Sequence, residues 1–206
     1  YILLSVLATA GLSFAAIAVA AAPGPAPACT LVRFSSVFSI SLRIDGASMV
    51  YGSIVSALWP LITLYSLDYM SHEGHENRFF GFWIASFGVV LGVAFAEDFL
   101  TLYFFYELLT LATLPLVMHF MDEKARYAGR EYLVFSLSGA AFAFIGIVYL
   151  LHYSATLDFT YGGVLDLALA AGHEPALQAV FVLAFFGFGV KAAIFPFYKW
   201  LPDASV

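Results

Sequence analysis

Apolar residues run through this chain in long blocks, and six blocks approach the ~20 mostly apolar residues that a bilayer-spanning helix needs. They fall at roughly 2–21, 47–67, 79–95, 99–121, 132–152 and 177–198. Each is apolar all the way round a helical wheel, as expected of a helix buried in lipid or in a bundle. Local breakers separate the blocks. Pro23, Pro25 and Pro27 follow the first, and acidic Glu97-Asp98 makes a tight break between the third and fourth. Trp59-Pro60 interrupts the second, and Pro196 breaks the sixth near its end. Residues 34–42 mix apolar residues with serines and fit a strand or an irregular loop. Gly88 and Gly92 form a small-xxx-small pair on the third block, a spacing that lets a neighbouring backbone approach. The expected fold class is all-α, a polytopic transmembrane helix bundle of about six spans with a Pro-broken sixth helix.

Composition sharpens this picture. The chain is 63% apolar and only 11% charged, against about 25% charged in a soluble domain. A net charge of −6 without any basic run excludes nucleic-acid binding. The single cysteine, Cys29, excludes an internal disulfide and a cysteine-ligated zinc or iron–sulfur site. The chain starts at Tyr1 on an apolar stretch with no basic lead, unlike a signal peptide. It stops at Val206 without a polar tail, so both ends read as truncations of a longer chain.

Loop charges suggest an orientation. If loops alternate sides, one side collects Arg78, Lys124, Arg126, Arg130 and Lys199, and the other only Arg33 and Arg43. The loop at 122–131 is then expected to be cytoplasmic, in a cell (inner) membrane. The loop at 153–176 carries Asp158, Asp166 and Glu174 but no Lys or Arg, and is expected outside.

Two charges fall within predicted spans. Glu107 sits mid-way along the fourth, where a carboxylate costs about 2.5–3.5 kcal/mol on insertion scales. Tyr103 and Thr110, four before and three after, share its helical face and make a thin polar stripe. Lys191 lies late in the sixth span, with Gly187 and Ala184 on its face leaving room for a long side chain or water. Pro196, five residues on, frees a carbonyl near Ala192, and broken helices recur at transporter ion sites. Burial lowers a lysine pKa and a nearby carboxylate raises it. If Glu107 approaches or leaves Lys191, the lysine would switch between holding and releasing a proton near neutral pH. No metal or organic cofactor is needed. The bland alternatives are a protonated glutamate packed for structure and a lysine snorkelling to the interface.

Other residues carry weaker signals. His119, near the end of the fourth span, could relay protons or cap the helix. Lys199 fits an interfacial anchor better than a carrier. His72 and His75 lack the four-residue spacing of a zinc-binding helix. The run Gly187-Phe-Gly189-Val-Lys-Ala192 mimics a dinucleotide fingerprint, but no strand precedes it. Asp203 follows Pro202 and could cap a following helix.

The segment from Glu97 to Glu107, Gly189-Val-Lys191, and Pro196-Phe-Tyr-Lys-Trp-Leu-Pro-Asp-Ala204 resemble the antiporter-like proton-conducting subunits. These are the large membrane subunits of complex I, their relatives in membrane hydrogenases, and the large subunits of Mrp-type sodium/proton antiporters. Arg43-Ile-Asp-Gly46, Tyr65-Ser-Leu-Asp-Tyr-Met70 and Arg78-Phe79 match the same family's front end. The resemblance implies that Glu107 is the family's intramembrane glutamate and Lys191 the lysine on its broken helix. It also implies a partial inverted-repeat fold. Residues 1–78 would be leading helices and loops, and 79–206 an incomplete first repeat that cannot by itself conduct along a complete path. The implied partners are other membrane subunits of a multisubunit complex, lipid, protons and, in an antiporter, sodium. The function expected is ion translocation within a complex I-like NADH-quinone oxidoreductase or an Mrp-type antiporter, the chain having no redox centre of its own. The alternative is a non-conducting membrane-anchor subunit of a respiratory complex. A haem- or quinone-binding subunit is a third class, for which His119 and His152 make a poor axial pair.

Overall fold

The structure is a computed structural model that describes residues 1–24, 27–35 and 38–204. Pro25 of the breaker cluster, Ser36 and Val37 of the 34–42 stretch, and Ser205 and Val206 lie outside the described residues. The chain is mostly helical, and among the described residues five helices are long and apolar enough to cross a membrane. It divides into two units, one of Tyr1–Glu97 with Phe104–Leu116, the other of Asp98–Tyr103 with the residues from Val117 onward.

The first unit holds α1 (Ile2–Ala21), β1 (Ala28–Arg33), β2 (Ser39–Arg43), α2 (Gly46–Met70), α3 (Glu76–Ala94) and most of α4 (Phe99–Val117). Its core gathers Val6 and Ala10 of α1, Ile44, and Phe87, Leu91 and Phe95 around α3. Asp45 caps α2 by accepting the Ser48 N–H at 2.8 Å, which holds its carboxyl below the usual range. The expected interruption at Trp59-Pro60 does not occur, because α2 runs unbroken through Pro60. Proline removes one donor, and neighbouring side chains tie the segment down instead. The Thr63 hydroxyl donates to the Trp59 carbonyl at 2.7 Å and accepts Trp83 Nε1 of α3 at 2.8 Å. Two turns before Thr63, Ser56 donates to Ser13 of α1 at 2.8 Å.

The ambiguous 34–42 stretch resolves in its second part into β2, paired antiparallel with β1, so a hairpin accompanies the helical bundle. The chain after α3 then joins β2: Arg43 N–H donates to the Phe95 carbonyl and Glu97 N–H to the Ser41 carbonyl. Of the expected Gly88–Gly92 pair on α3, Gly92 alone serves close approach. A Cβ there would collide with the Phe105 ring of α4, whereas at Gly88 it would meet nothing within 4 Å.

The second unit is built on α5 (Glu123–Tyr153) and α7 (Glu174–Gly189), with the short α6 (Leu167–Ala170) between them and α8 (Trp200–Ala204) after. Most of the expected 122–131 loop is helical. Asp122 caps α5 by accepting Ala125 N–H at 2.6 Å, and the helix runs 31 residues. At 1.5 Å per residue that is about 46 Å, well beyond a hydrocarbon core of about 30 Å. The turns bearing exposed Lys124, Arg126 and Arg130 therefore project as helix.

α5 and α7 meet backbone to backbone. A Cβ on Gly139 would lie 2.7 Å from the Gly187 carbonyl oxygen, one on Gly146 2.6 Å from Ala184 Cβ, and one on Gly187 2.6 Å from Ala143 N. The room beside Ala184 and Gly187, expected to admit the lysine side chain or water, is thus occupied by α5. The sixth helix also ends ahead of Pro196, at Gly189. There the chain turns back on itself, with Ala192 and Ile194 N–H both donating to the Gly189 carbonyl. The Ile194 side chain lies where a Cβ on residue 189 would be, so only glycine allows the fold-back.

Gly139→Ala should therefore lower the thermal stability of the detergent-solubilised protein, by about 1–3 kcal/mol for overpacking. Gly88→Ala, in open space, should leave it unchanged or raise it by about 0.5–1 kcal/mol. Equal melting behaviour of the two variants would refute the close α5–α7 approach.

Candidate functional site

Glu107 and Lys191 fall in different units, and each has its own setting. On α4, Glu107 is half-buried and its Oε1 is sealed from solvent. Its neighbours Tyr106 and Thr110 are buried, while Phe104 and Leu111 are exposed. The helix thus turns its aromatic and leucine side outward and keeps the hydroxyl of Thr110 inside. Tyr103, the third member of the polar stripe, donates to the Ala140 carbonyl of α5 at 3.4 Å within the second unit.

In the second unit Lys191 stands two residues past the end of α7, in the turn that replaces the helix. A cation is favoured there, because the last carbonyls of a helix carry its negative pole. The Lys191 ammonium lies 5.9 Å from the centroid of the Tyr132 ring. That ring packs against Trp200, centroids 5.3 Å apart. The Trp200 indole in turn donates from Nε1 to the Val190 carbonyl at 2.9 Å in a buried bond. The residue before the lysine is thereby pinned from α8, and the lysine head is covered from α5.

Lys199 does something else. It is exposed, and its ammonium lies 3.3 Å from both carboxylate oxygens of Glu131, whose Oε1 also accepts the Tyr127 hydroxyl. The hydrogen bond and charge of Glu131 hold the lysine above its usual pKa, as a cation fastening the end of the turn to α5. His119 does not sit inside a span, because α4 ends at Val117; it lies buried in the following turn, its ring 5.3 Å from Phe120. His72 is exposed, with Nδ1 at 3.0 Å from the Asp68 carbonyl oxygen, and among the described residues no three His, Cys, Asp or Glu side chains gather to hold a metal. Gly187 is a packing residue within a helix, and Asp203 lies in the first turn of α8. A cavity of about 300 Å³ between α5 and α7 has an apolar lining that includes Ile147, Phe181 and Phe185, a poor place for an ion.

Sequence reasoning missed Tyr132, Glu131 and the bonding role of Trp200. Trp200 lies within the Trp-Leu-Pro-Asp-Ala run, but no spacing rule pairs it with a carbonyl ten residues earlier. Tyr132 is at the expected start of the fifth span, where an aromatic reads as an interface anchor.

Comparison with known proteins agrees with this architecture. Residues 96–206 match the family described as NADH:quinone oxidoreductase/Mrp antiporter, transmembrane. Residues 34–80 match the NADH-ubiquinone oxidoreductase (complex I) chain 5 N-terminus. A Na(+)/H(+) antiporter subunit of Alkalihalophilus pseudofirmus is 32% identical over 169 residues, which is 81% of this chain and 21% of that protein. Its Bacillus subtilis namesake gives the same identity and coverage. The chain thus spans about a fifth of the length of the curated relatives it matches. Among solved structures, the archaeal membrane-bound sulfane sulfur reductase has a chain with a TM-score of 0.77 at 18% identity, covering 98% of this chain and 41% of that one. The Mrp complex from Dietzia sp. DQ12-45-1b gives 0.73 at 19% identity, with 98% and 38% covered. Both share the fold. The chain belongs to the NADH:quinone oxidoreductase/Mrp antiporter membrane family and is a multi-pass membrane protein.

Trp200→Phe keeps a ring against Tyr132 but removes the donor to Val190 together with part of a buried side chain. It should cost about 1 kcal/mol in thermal unfolding, and a variant as stable as the parent would show that the bond does not hold the turn.

Proposed function

We propose that this chain is part of an ion-translocating subunit in which Glu107 and Lys191 carry protons across the membrane. The observation that carries the reading is the placement of Lys191. A lysine sits on the break of an apolar helix, beside an aromatic ring, with its backbone fixed by Trp200. Such a group can exchange a proton without dragging its helix along. Glu107 supplies a carboxyl in the middle of an apolar helix, a costly position whose default reading is functional. Membership of a family whose matched relatives are named Na(+)/H(+) antiporter subunits supports cation/proton translocation.

Within this reading residues 79–206 form the proton-conducting module and 1–78 the leading helices. The basic start of α5 faces the cytoplasm, by the excess of Lys and Arg there. The partners are further membrane subunits, in the inner membrane of a bacterium-like cell. Lys199, clamped to Glu131, steadies the broken helix. His119, buried after α4, is the weaker candidate for relaying protons toward that face.

The test uses the full-length protein in everted membrane vesicles, with proton movement driven by NADH or by added Na+ and followed with a pH-sensitive dye. Glu107→Gln and Lys191→Ala should each reduce transport by about a hundredfold, the scale of losing a positioned proton donor, while the protein still assembles. Normal transport by both variants would leave the chain a membrane anchor. The driver that works separates a redox-linked pump from a sodium/proton exchanger.

A further inference from the structure

Ser136 lies on α5 one turn beyond Tyr132 and one turn before Gly139 and Ala140. It is 1% exposed, and its Oγ finds no hydrogen-bond partner among the described residues. Serine in a helix ordinarily returns its hydroxyl to a carbonyl of the preceding turn or turns it to water, and a buried polar group left without a partner is costly. That cost calls for an explanation beyond packing.

Its neighbours along α5 locate it. Tyr132 covers the Lys191 ammonium at 5.9 Å. A Cβ on Gly139 would come within 2.8 Å of Val190 Cβ and 2.7 Å of the Gly187 carbonyl oxygen. At 1.5 Å rise per residue, Ser136 is about 6 Å along the axis from Tyr132 and about 4.5 Å from Gly139. All three lie on the buried side of α5 with Ala140 and Ala143. The unpartnered hydroxyl is thus bracketed between the residue that touches the lysine head and the residue that touches the backbone just before the lysine.

The chemistry of a proton-carrying lysine explains why a hydroxyl belongs there. The ammonium has three donors and no acceptor. When it gives up a proton, one N–H bond is lost and a lone pair appears that needs a donor. The Tyr132 ring face attracts only the cation, and backbone carbonyls only accept. A hydroxyl both donates and accepts, so it can follow the lysine through the change by rotating.

We propose that the Ser136 hydroxyl is a polar partner serving Lys191 in both of its protonation states across one bridging water molecule. This makes Ser136 a positioning residue for proton transfer. The inference rests on Lys191 being a carrier, as put forward above.

The experiment compares Ser136→Ala, Ser136→Thr and Lys191→Ala in the full-length protein, in the same vesicle assay, with thermal stability of the solubilised protein measured alongside. Ser136→Ala should slow transport about tenfold, the scale of a hydrogen bond to a charged group, without loss of assembly or stability. A merely structural hydroxyl without a partner would leave the rate untouched. Ser136→Thr, which keeps the hydroxyl, should restore most of the rate. If Lys191→Ala abolishes transport and Ser136→Ala runs at the parent rate, this inference falls and the carrier reading stands. If Lys191→Ala transports normally, both fall. A slow Ser136→Ala that is also less stable, or a stable Ser136→Thr that stays slow, would equally overturn the role given to the hydroxyl.

Discussion

A helix that stops among apolar surroundings exposes carbonyls that no bulk water can reach, and each must find a donor inside the protein. In this chain the stop at Gly189 meets that demand locally. The Gly189 carbonyl accepts from Ala192 and Ile194, and the Val190 carbonyl accepts from Ala193 and from the Trp200 indole. The rest of the second unit follows from this. Because the break is satisfied, Lys191 can leave the helical path, and because α8 begins at Trp200, the turn has a fixed return point. The glycine contacts between α5 and α7 then set how near Tyr132 comes to the lysine head.

The first unit handles its polar groups in a different way. Its serines and threonines bond across helices, Ser56 to Ser13 and Thr63 to Trp83, so that α2 passes through Pro60 intact. Its β2 strand is pinned on both edges, by β1 and by the segment after α3. Glu107 is carried on a helix whose close pass to α3 depends on Gly92. The carboxyl side chain is thus set on a rigid element, as a proton carrier requires in the function proposed.

Much of the fold was legible because lipid imposes length and apolarity, and these are visible as blocks. α1, α3 and the body of α5 lie where the blocks lie. The reading failed where a local breaker competes with tertiary bonds. Pro60 looks like a stop but is bypassed by Thr63, and Pro196 looks like the break but follows one already made by Gly189 and Ile194. The polar run at 122–131 looks like a loop, yet Asp122 caps it into helix. For the candidate site, Glu107 and Lys191 could be named because charges inside apolar blocks stand out. Tyr132, Ser136 and Glu131 could not, because each becomes informative only once α5 is laid against the turn after α7.

The central claim of the function proposed is that the break after α7 sets residue 191 beside Tyr132 of α5, within reach of water, rather than against lipid. The direct measurement is labelling of single cysteines with a small charged, water-soluble thiol reagent in intact membranes, after Cys29 is replaced by serine. A cysteine at position 191 should react readily, while one at position 182, where Val182 is half exposed on the outer face of α7, should stay unlabelled. Reaction at 182 with none at 191 would contradict the account.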